Sequence, residues 1–242
     1  MLRDSFELNL ATDLSAEQLI KKLIQYEPWG HRVDFSNGVS TSNLVRRTPF
    51  SHNTIQKVKT VKNVIPFEEF RGGTVLDIGC NSGYNSIYLA SEYNMHPTGI
   101  DVNPRHIEVS SLLSKIANIE GNYTLGDAEI YCNKGHFDVV LHFGTLYHLP
   151  NPLLSLQTTY KNLKKGGYLA LETQVYDNPD DNNICYFMHM HNNDKTNFWA
   201  LSTHVLKQYL EIIGFSEIQE LLRVSPEMLG ENMSRIILVT KK

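Results

Sequence analysis

The chain lacks the features typical of disulfide-rich, zinc-binding, membrane-spanning and secreted proteins. Its three cysteines, Cys80, Cys132 and Cys185, are widely spaced and form no Cys-x-x-Cys pair. An odd, scattered set predicts neither a disulfide framework nor a zinc site, and it suits a reducing compartment. No window approaches 18 consecutive apolar residues, so we expect no membrane span. The N-terminal residues carry charges instead of an apolar stretch, so we expect no secretory signal and a cytoplasmic protein.

An excess of positive charge is also missing. The 242 residues include 22 Lys or Arg and 26 Asp or Glu, which gives a net charge of −4. A strongly basic footprint for RNA is therefore absent. One segment, residues 35–67, has no acid and five basic residues: Arg46, Arg47, Lys57, Lys59 and Lys62. This segment is either a solvated face or a contact for an acidic or phosphate-bearing acceptor.

The sequence has no Gly-x-Gly-x-x-Gly, the usual signature of a dinucleotide site. It has instead a short apolar run, Val75 to Ile78, which contains Asp77 and leads into the glycine-rich turn Gly79–Gly83. A helical pattern begins at Tyr84. Strand, turn and helix together place backbone N–H groups where they can hold a carboxylate or phosphate. The acid two residues before the first glycine suits a cationic ligand group; an ordinary strand-to-helix turn is the simpler interpretation.

Strands and helices alternate from residue 74 onward, which predicts a doubly wound α/β fold with a mostly parallel seven-stranded sheet. The predicted strands are 74–78, 97–101, 123–126, 137–143, 168–173, 215–222 and 235–240, and the predicted helices between them are 83–92, 104–118, 152–167 and 203–213.

Two segments stand outside this alternation. Residues 1–70 carry helical patterns at 15–26 and 53–64, and we predict an N-terminal helical segment packed on a 71–242 domain. Residues 174–202 are polar and turn-rich at first and aromatic at the end. A 29-residue insertion after a strand is long for a connection, so we predict a lid.

Acids follow three successive strands of the predicted sheet: Asp77, Asp101 and Asp127. Ligands of such sheets bind at the carboxyl ends of the strands. In this order, with the motif Val75–Gly83, the chain resembles the class I S-adenosylmethionine (SAM)-dependent methyltransferases. NAD is an alternative ligand that Asp101 would also serve, but the glycine spacing opposes it.

The resemblance implies SAM as the cofactor and gives each acid a role. Asp77 and the turn would hold the methionine part, Asp101 the ribose hydroxyls, and Asp127 the adenine amino group. The predicted SAM-binding residues are Asp77, Gly79, Asn81, Ser82, Asp101, Val102, Asp127, Ala128 and Phe143.

A second resemblance narrows the family. The stretches 137–153, 169–173 and 197–202 resemble the tRNA wobble-uridine carboxymethyltransferase branch, as do Pro28-Trp29 and Gly38-Val39. That branch uses carboxy-SAM, and its tyrosine matching Tyr147 helps to hold the extra carboxylate. Two differences from the branch are expected to matter: Gly30-His31-Arg32 stands where a lysine follows Pro-Trp, and we expect this protein to lack the longer N-terminal region of the branch.

Methyl transfer from a sulfonium is mainly a matter of positioning, and a base matters only for a hydroxyl or a protonated amine. The candidate catalytic residues are Tyr147, His31, His148 and Glu172. For His148 the alternative is a residue that orients its turn, and for Glu172 the two alternatives are a contact with the acceptor and a hydrogen bond to the lid. The pair His189 and His191 lacks a third ligand nearby, so we predict no metal site.

These observations predict a SAM-dependent methyltransferase that acts on a small-molecule or sugar-like acceptor. One alternative is a carboxymethyltransferase that uses carboxy-SAM on tRNA wobble uridine. The other is a catalytically silent SAM-binding protein that serves as a partner subunit. The identity of the acceptor and the oligomeric state do not follow from the sequence.

Overall fold

The structure is a computed structural model that describes residues 7–11, 13–44, 54–225 and 229–242. Six helices lie in these ranges: α1 Ala16–Ile24, α2 Thr54–Val61, α3 Tyr84–Tyr93, α4 Pro104–Ile116, α5 Pro152–Asn162 and α6 Thr203–Ile213. The strands are β1 Glu7–Leu8, β2 Asp34–Phe35, β3 Thr74–Ile78, β4 His96–Asp101, β5 Asn122–Leu125, β6 Phe137–Phe143, β7 Leu163–Tyr176, β8 Tyr186–Phe187, β9 Trp199–Ala200, β10 Ser216–Val224 and β11 Met233–Lys241.

Seven of the strands form one sheet in the order β10-β11-β7-β6-β3-β4-β5. The pairs β3–β4, β4–β5 and β6–β7 are parallel, whereas β11 is antiparallel to both β7 and β10. The predicted α/β fold with a mostly parallel seven-stranded sheet is therefore confirmed.

The chain divides into two compact units. The first contains the described residues up to Lys59 together with Phe67–Leu125, and the second contains Thr60–Pro66 and Gly126–Lys242. This grouping differs from a boundary at residue 70, because it places the described residues up to Lys59 with Phe67–Leu125. The division into 1–70 and 71–242 stays a prediction.

The first unit is built on the parallel strands β3, β4 and β5. Val75, Leu76 and Ile78 of β3 are almost completely buried, as expected for a strand covered on both faces. The N-terminal segment is tied to this unit, where the N–H of Ala11 donates to the carbonyl of Ile116 at the end of α4. Helix α1 begins with a capping box in which Ser15 and Gln18 exchange side-chain-to-backbone hydrogen bonds.

The second unit is built on β6, β7, β11 and β10. Strand β7 begins at Leu163, five residues earlier than predicted, and the preceding helix α5 ends at Asn162 rather than near Gly167. Leu163 is fully buried and pairs with Phe137, while Lys164 binds Asp138 at 2.8 Å. These contacts with β6 favour an extended backbone where Lys-Lys-Gly-Gly had predicted a helix end.

Residues 174–202 are folded around a few short elements. Strand β7 continues to Tyr176, and the two-residue strands β8 and β9 pair antiparallel. Asp177 accepts hydrogen bonds from the backbone N–H of Thr203 and from Arg223, so both ends of the insertion meet at one place. The description of this segment as a lid stays a prediction.

Candidate functional site

The glycine-rich turn after β3 has the backbone of a ligand cradle. Gly79, Asn81 and Gly83 have positive φ angles of 66, 49 and 70 degrees. Glycine adopts this region without steric cost. At Gly83 a Cβ atom would also come within 2.8 Å of the Tyr123 ring. Helix α3 then begins without a side-chain cap, so its first backbone N–H groups are available to an anionic ligand group.

Asp77, at the carboxyl end of β3, holds a buried oxygen that no described residue binds. The residue is 2% exposed, and its Oδ2 atom has no hydrogen-bond partner in the described part of the chain. Burial raises the pKa of Asp77 to about 7. The negative charge of Asp101 also raises this pKa, whereas hydrogen bonds from Ser86 and the positive charge of Lys57 lower it. An unsatisfied buried carboxyl of this kind favours a cationic partner.

Asp101, at the end of β4, is a buried and ionised carboxylate. Its oxygens accept hydrogen bonds from the N–H groups of Asn81 and Asn103 and from His106 Nδ1, all at 2.9–3.0 Å. Burial alone would raise the pKa of Asp101, but these partners hold it below its ordinary value. The next residue, Val102, is 74% exposed. Asp101 and Val102 therefore place a negatively charged hydrogen-bond acceptor beside an exposed apolar side chain.

The loop from Tyr26 to Arg32 lies on the glycine-rich turn. Trp29 is buried and donates from Nε1 to the carbonyl of Leu23 at 2.9 Å. Gly30 lies so close to Asn81 that a Cβ atom would be 2.5 Å from Asn81 Nδ2. Arg105 of α4 donates to the carbonyls of Tyr26 and Pro28. The N-terminal segment is therefore part of the site in the first unit.

His31 follows Gly30 and binds the same turn, with Nδ1 3.0 Å from Ser82 Oγ. Burial lowers the pKa of His31 to about 3, and the positive charges of Lys57 and His106 act in the same direction. The imidazole is therefore neutral at physiological pH. His31 itself therefore supplies no positive charge at the turn.

The remaining predicted SAM-binding residues lie in the second unit. Asp127 is exposed, and its Oδ1 accepts from the N–H of Glu129 at 2.8 Å. Its carbonyl accepts from the N–H groups of Ile130 and Tyr131, so a turn opens directly after β5. Ala128 is buried. Within the described ranges the other carboxylate oxygen of Asp127 accepts no hydrogen bond, so it suits a ligand that donates one.

Three residues of the second unit form a buried polar cluster beyond β6. Arg235 of β11 donates twice to the carboxylate of Glu172, from Nε at 2.5 Å and from Nη2 at 2.9 Å. Nη2 also lies 3.4 Å from the hydroxyl of Tyr147. Burial alone would lower the pKa of Arg235, but Glu172 and Tyr147 raise it above its usual value. Phe143, at the end of β6, is buried and pairs with Glu172 in the parallel ladder of β6 and β7.

His148 lies beside this cluster and is held by the insertion. The rings of Tyr147 and His148 are 4.2 Å apart between centroids. His148 Nδ1 is 2.9 Å from the Thr196 hydroxyl and 3.2 Å from the Thr196 carbonyl. Burial lowers the pKa of His148. The imidazole is a neutral group at the edge of the cluster.

The predicted site residues thus assemble in two sets. The set in the first unit consists of Asp77, Gly79, Asn81, Ser82, Asp101 and His31. The set in the second unit consists of Tyr147, His148 and Glu172. Sequence reasoning missed Arg235, which lies 63 residues from Glu172 along the chain. The available signal was an arginine at the start of the otherwise apolar run Ile236–Val239. It also missed His106, the partner of Asp101.

The structure also bears on the predictions about a basic segment, a metal site and a membrane span. In the basic segment 35–67, Arg46 and Arg47 lie outside the described residues. Among the described residues no group of three or more His, Cys, Asp or Glu is arranged to hold a metal ion. A search of the same residues finds no helix with the length and apolar character needed to span a bilayer.

The parallel sheet, the glycine-rich turn and the acids at the ends of β3 and β4 define a class I SAM-dependent methyltransferase. A family model described as a methyltransferase domain matches residues 50–220. The chain therefore belongs to this methyltransferase domain family, and the predicted class is confirmed.

Curated relatives in the carboxymethyltransferase branch are similar over part of their length. The chain is 30% identical to a tRNA U34 carboxymethyltransferase of Haemophilus influenzae over 151 residues, covering 62% of this chain and 47% of the relative. A tRNA U34 carboxymethyltransferase of Psychromonas ingrahamii is 27% identical over 240 residues, covering 96% and 69%. The chain spans about half the length of most of the curated relatives it matches.

Solved structures share the fold at low sequence identity. The N-terminal domain of EvdMO1, crystallised in the presence of SAH and D-fucose, has a TM-score of 0.73 at 17% identity and covers 94% of this chain and 97% of that one. Phosphoethanolamine N-methyltransferase 2 of Haemonchus contortus, in complex with SAM, has a TM-score of 0.64 at 15% identity, covering 78% and 53%.

Proposed function

We propose that this chain transfers a methyl group from SAM to a small-molecule or sugar-like acceptor. SAM supplies an electrophilic methyl on a sulfonium. The residues of the first unit supply the means to bind and orient it.

The first unit fits the polar groups of SAM. The unpartnered Oδ2 atom of Asp77 matches the ammonium of the methionine part, which would satisfy a buried carboxyl. Asp101 already accepts three hydrogen bonds, and an ionised carboxylate offers about four lone-pair sites, so capacity remains for a ribose hydroxyl. The exposed face of Val102 suits the apolar surface of a purine.

One observation carries the choice of plain SAM: a neutral His31 occupies the segment where the carboxymethyltransferase branch has a lysine. A second carboxylate taken out of water needs a cation close by, because an unpaired buried charge is costly. His31 binds Ser82 and, with a pKa lowered to about 3, is uncharged. The position of His31 is therefore suited to a donor without the extra carboxylate.

A small acceptor is supported by charge and by the fold comparison. The chain carries a net charge of −4, whereas proteins that bind RNA concentrate basic residues on one face. The EvdMO1 domain, which covers 94% of this chain, was solved with D-fucose. A sugar hydroxyl is an acceptor that requires a base, and the second unit carries the neutral His148.

The test is a comparison of donors and acceptors with the purified full chain. Mass spectrometry of the co-purifying nucleoside distinguishes SAM, carboxy-SAM and NAD by mass. Methyl-labelled SAM is then incubated with a low-molecular-weight cell extract and, separately, with bulk tRNA. Label in small molecules supports the proposal. Bound SAM without transfer to either fraction would instead support the silent-subunit alternative.

A second candidate, carboxymethylation of tRNA, is favoured by Arg235. This cation lies 3.4 Å from the hydroxyl of Tyr147, the residue that matches the carboxylate-binding tyrosine of the branch. Glu172 already binds the guanidinium through two hydrogen bonds, so little net positive charge is left there. Co-purified carboxy-SAM, with a carboxymethyl group appearing on tRNA, would establish this candidate.

A further inference from the structure

We propose that Thr196 and Asp194 are positioning residues that hold the His148 imidazole with its hydrogen on Nδ1, leaving Nε2 as the base for the methyl acceptor. Both residues come from the insertion 174–202. The inference rests on the proposed function, because it assigns a proton acceptor to that reaction.

A continuous chain of short hydrogen bonds links the three residues. Thr196 Oγ1 lies 2.9 Å from His148 Nδ1 and 2.6 Å from Asp194 Oδ1. The Thr196 carbonyl lies 3.2 Å from the same imidazole nitrogen, and the N–H of Thr196 donates to Asp194 Oδ1 at 2.8 Å. Threonine is thus fixed from both its backbone and its side chain.

The donors and acceptors in this chain determine the tautomer. The carboxylate of Asp194 only accepts, so the Thr196 hydroxyl must donate to it. With its one hydrogen used, the hydroxyl can only accept from His148. The Thr196 carbonyl also only accepts. Both contacts at Nδ1 therefore require an N–H there, and a neutral imidazole then carries its lone pair on Nε2.

The lone pair on Nε2 is left for the acceptor. In the part of the chain that the structure describes, both hydrogen bonds of the His148 imidazole are made by Nδ1, and none is made by Nε2. The insertion is fixed to the His148 loop by two further bonds. The N–H of Phe198 donates to the Tyr147 carbonyl at 2.9 Å, and Trp199 Nε1 donates to the Pro150 carbonyl at 3.1 Å.

The charges around His148 suit a base that is neutral before reaction. Burial lowers the pKa of His148, the Thr196 carbonyl and Asp194 raise it, and Arg235 lowers it. The Tyr147 ring is the other titratable group in contact with the imidazole. As a proton arrives, Asp194 stabilises the imidazolium through Thr196. The arrangement combines orientation with charge compensation.

The proposed step balances as follows. The acceptor oxygen forms a bond to the methyl carbon while the carbon–sulfur bond of SAM breaks. The electron pair of the broken carbon–sulfur bond goes to sulfur, which becomes a neutral thioether. The acceptor proton passes to His148 Nε2. The resulting imidazolium then loses that proton to water, and the base is restored.

Nitrogen-15 NMR of the full chain with labelled histidine tests the positioning without any acceptor. Wild-type His148 should show a protonated Nδ1 and an unprotonated Nε2. Asp194→Asn should lower the pKa of His148 by about half a unit, the effect of a unit charge two hydrogen bonds away, of 2.9 and 2.6 Å, in a water-like dielectric. Asp180→Asn, an exposed acid of the same insertion, is the matched control and should leave the pKa unchanged.

A second pair of variants keeps the test valid if Asp194→Asn does not fold. Thr196→Val removes the hydroxyl and leaves the carbonyl, so the Nδ1–H form should lose part of its population. Thr196→Ser keeps the hydroxyl and should restore the wild-type pattern. A wild-type His148 with its hydrogen on Nε2 would overturn the proposal, as would a pKa that Asp194→Asn does not move.

Methyl transfer from labelled SAM to a low-molecular-weight cell extract tests the base. The acidic limb of the rate–pH profile should shift to lower pH in Asp194→Asn by the same half unit found by NMR. Equal profiles in both proteins would overturn the role of the base. If the wild type transfers no methyl group, the proposed function and the base fail together, while the NMR result still decides the positioning of His148.

Discussion

Asp77 should couple the binding of SAM to the release of a proton. Burial raises its pKa to about 7, so about half of the molecules carry a neutral carboxylic acid at pH 7. The ammonium group of SAM favours the carboxylate instead. Binding at pH 7 should therefore release about half a proton, and lowering the pH from 7.5 to 6 should weaken binding about eightfold, or about 1.3 kcal/mol.

Titration calorimetry in buffers with different protonation enthalpies measures both quantities. The amino group of SAM titrates near its own reference pKa of about 7.7–8.0, so its contribution must be subtracted. Asp77→Asn provides that baseline, because it keeps the shape of the side chain and cannot ionise. His31, with a pKa lowered to about 3, remains neutral over the whole range. Equal proton release by the wild type and Asp77→Asn would refute the reasoning.

Three further predictions follow from named contacts. Asp101→Ala should weaken SAM binding by roughly 1.5–3 kcal/mol, the value of bonds to a charged group; unchanged affinity by calorimetry would contradict the ribose role. Arg235→Met should lower the free energy of unfolding by about 3–5 kcal/mol, because it removes the guanidinium that neutralises the buried Glu172 carboxylate. In urea denaturation, the double variant with Glu172→Gln should recover part of that loss, and a single-variant loss below about 1 kcal/mol would argue against a coupled pair. Residues 174–202 should gain protection from hydrogen exchange when SAM, or SAH with acceptor, is added; identical exchange in both states would count against a lid.

The central strands were predictable because local pattern and burial agree. Strands β3 and β6 have the predicted bounds, since each is an apolar run bounded by turn residues. The start of β7 was not predictable in this way. Leu163 follows a helix, and only its pairing with Phe137 of β6 shows that the chain is extended there.

The candidate site was predictable where residues follow one another in sequence. Asp77 and the turn after it are a local motif. Arg235 was missed because its partner Glu172 is on another strand, and the antiparallel register of β7 and β11 is a property of the folded sheet. The link from His148 to Thr196 spans 48 residues and depends on how the insertion folds. No local pattern encodes such contacts.

The choice of donor tests the account most directly. Wild-type protein should bind plain SAM at least as tightly as carboxy-SAM in a competition experiment, because neutral His31 provides no cation for a second carboxylate. His31→Lys should move the preference toward carboxy-SAM, and His31→Gln should leave it unchanged. If the wild type instead prefers carboxy-SAM by tenfold or more, about 1.4 kcal/mol, another cation such as Arg32 or Arg235 serves the carboxylate, and the methyl-transfer proposal is contradicted.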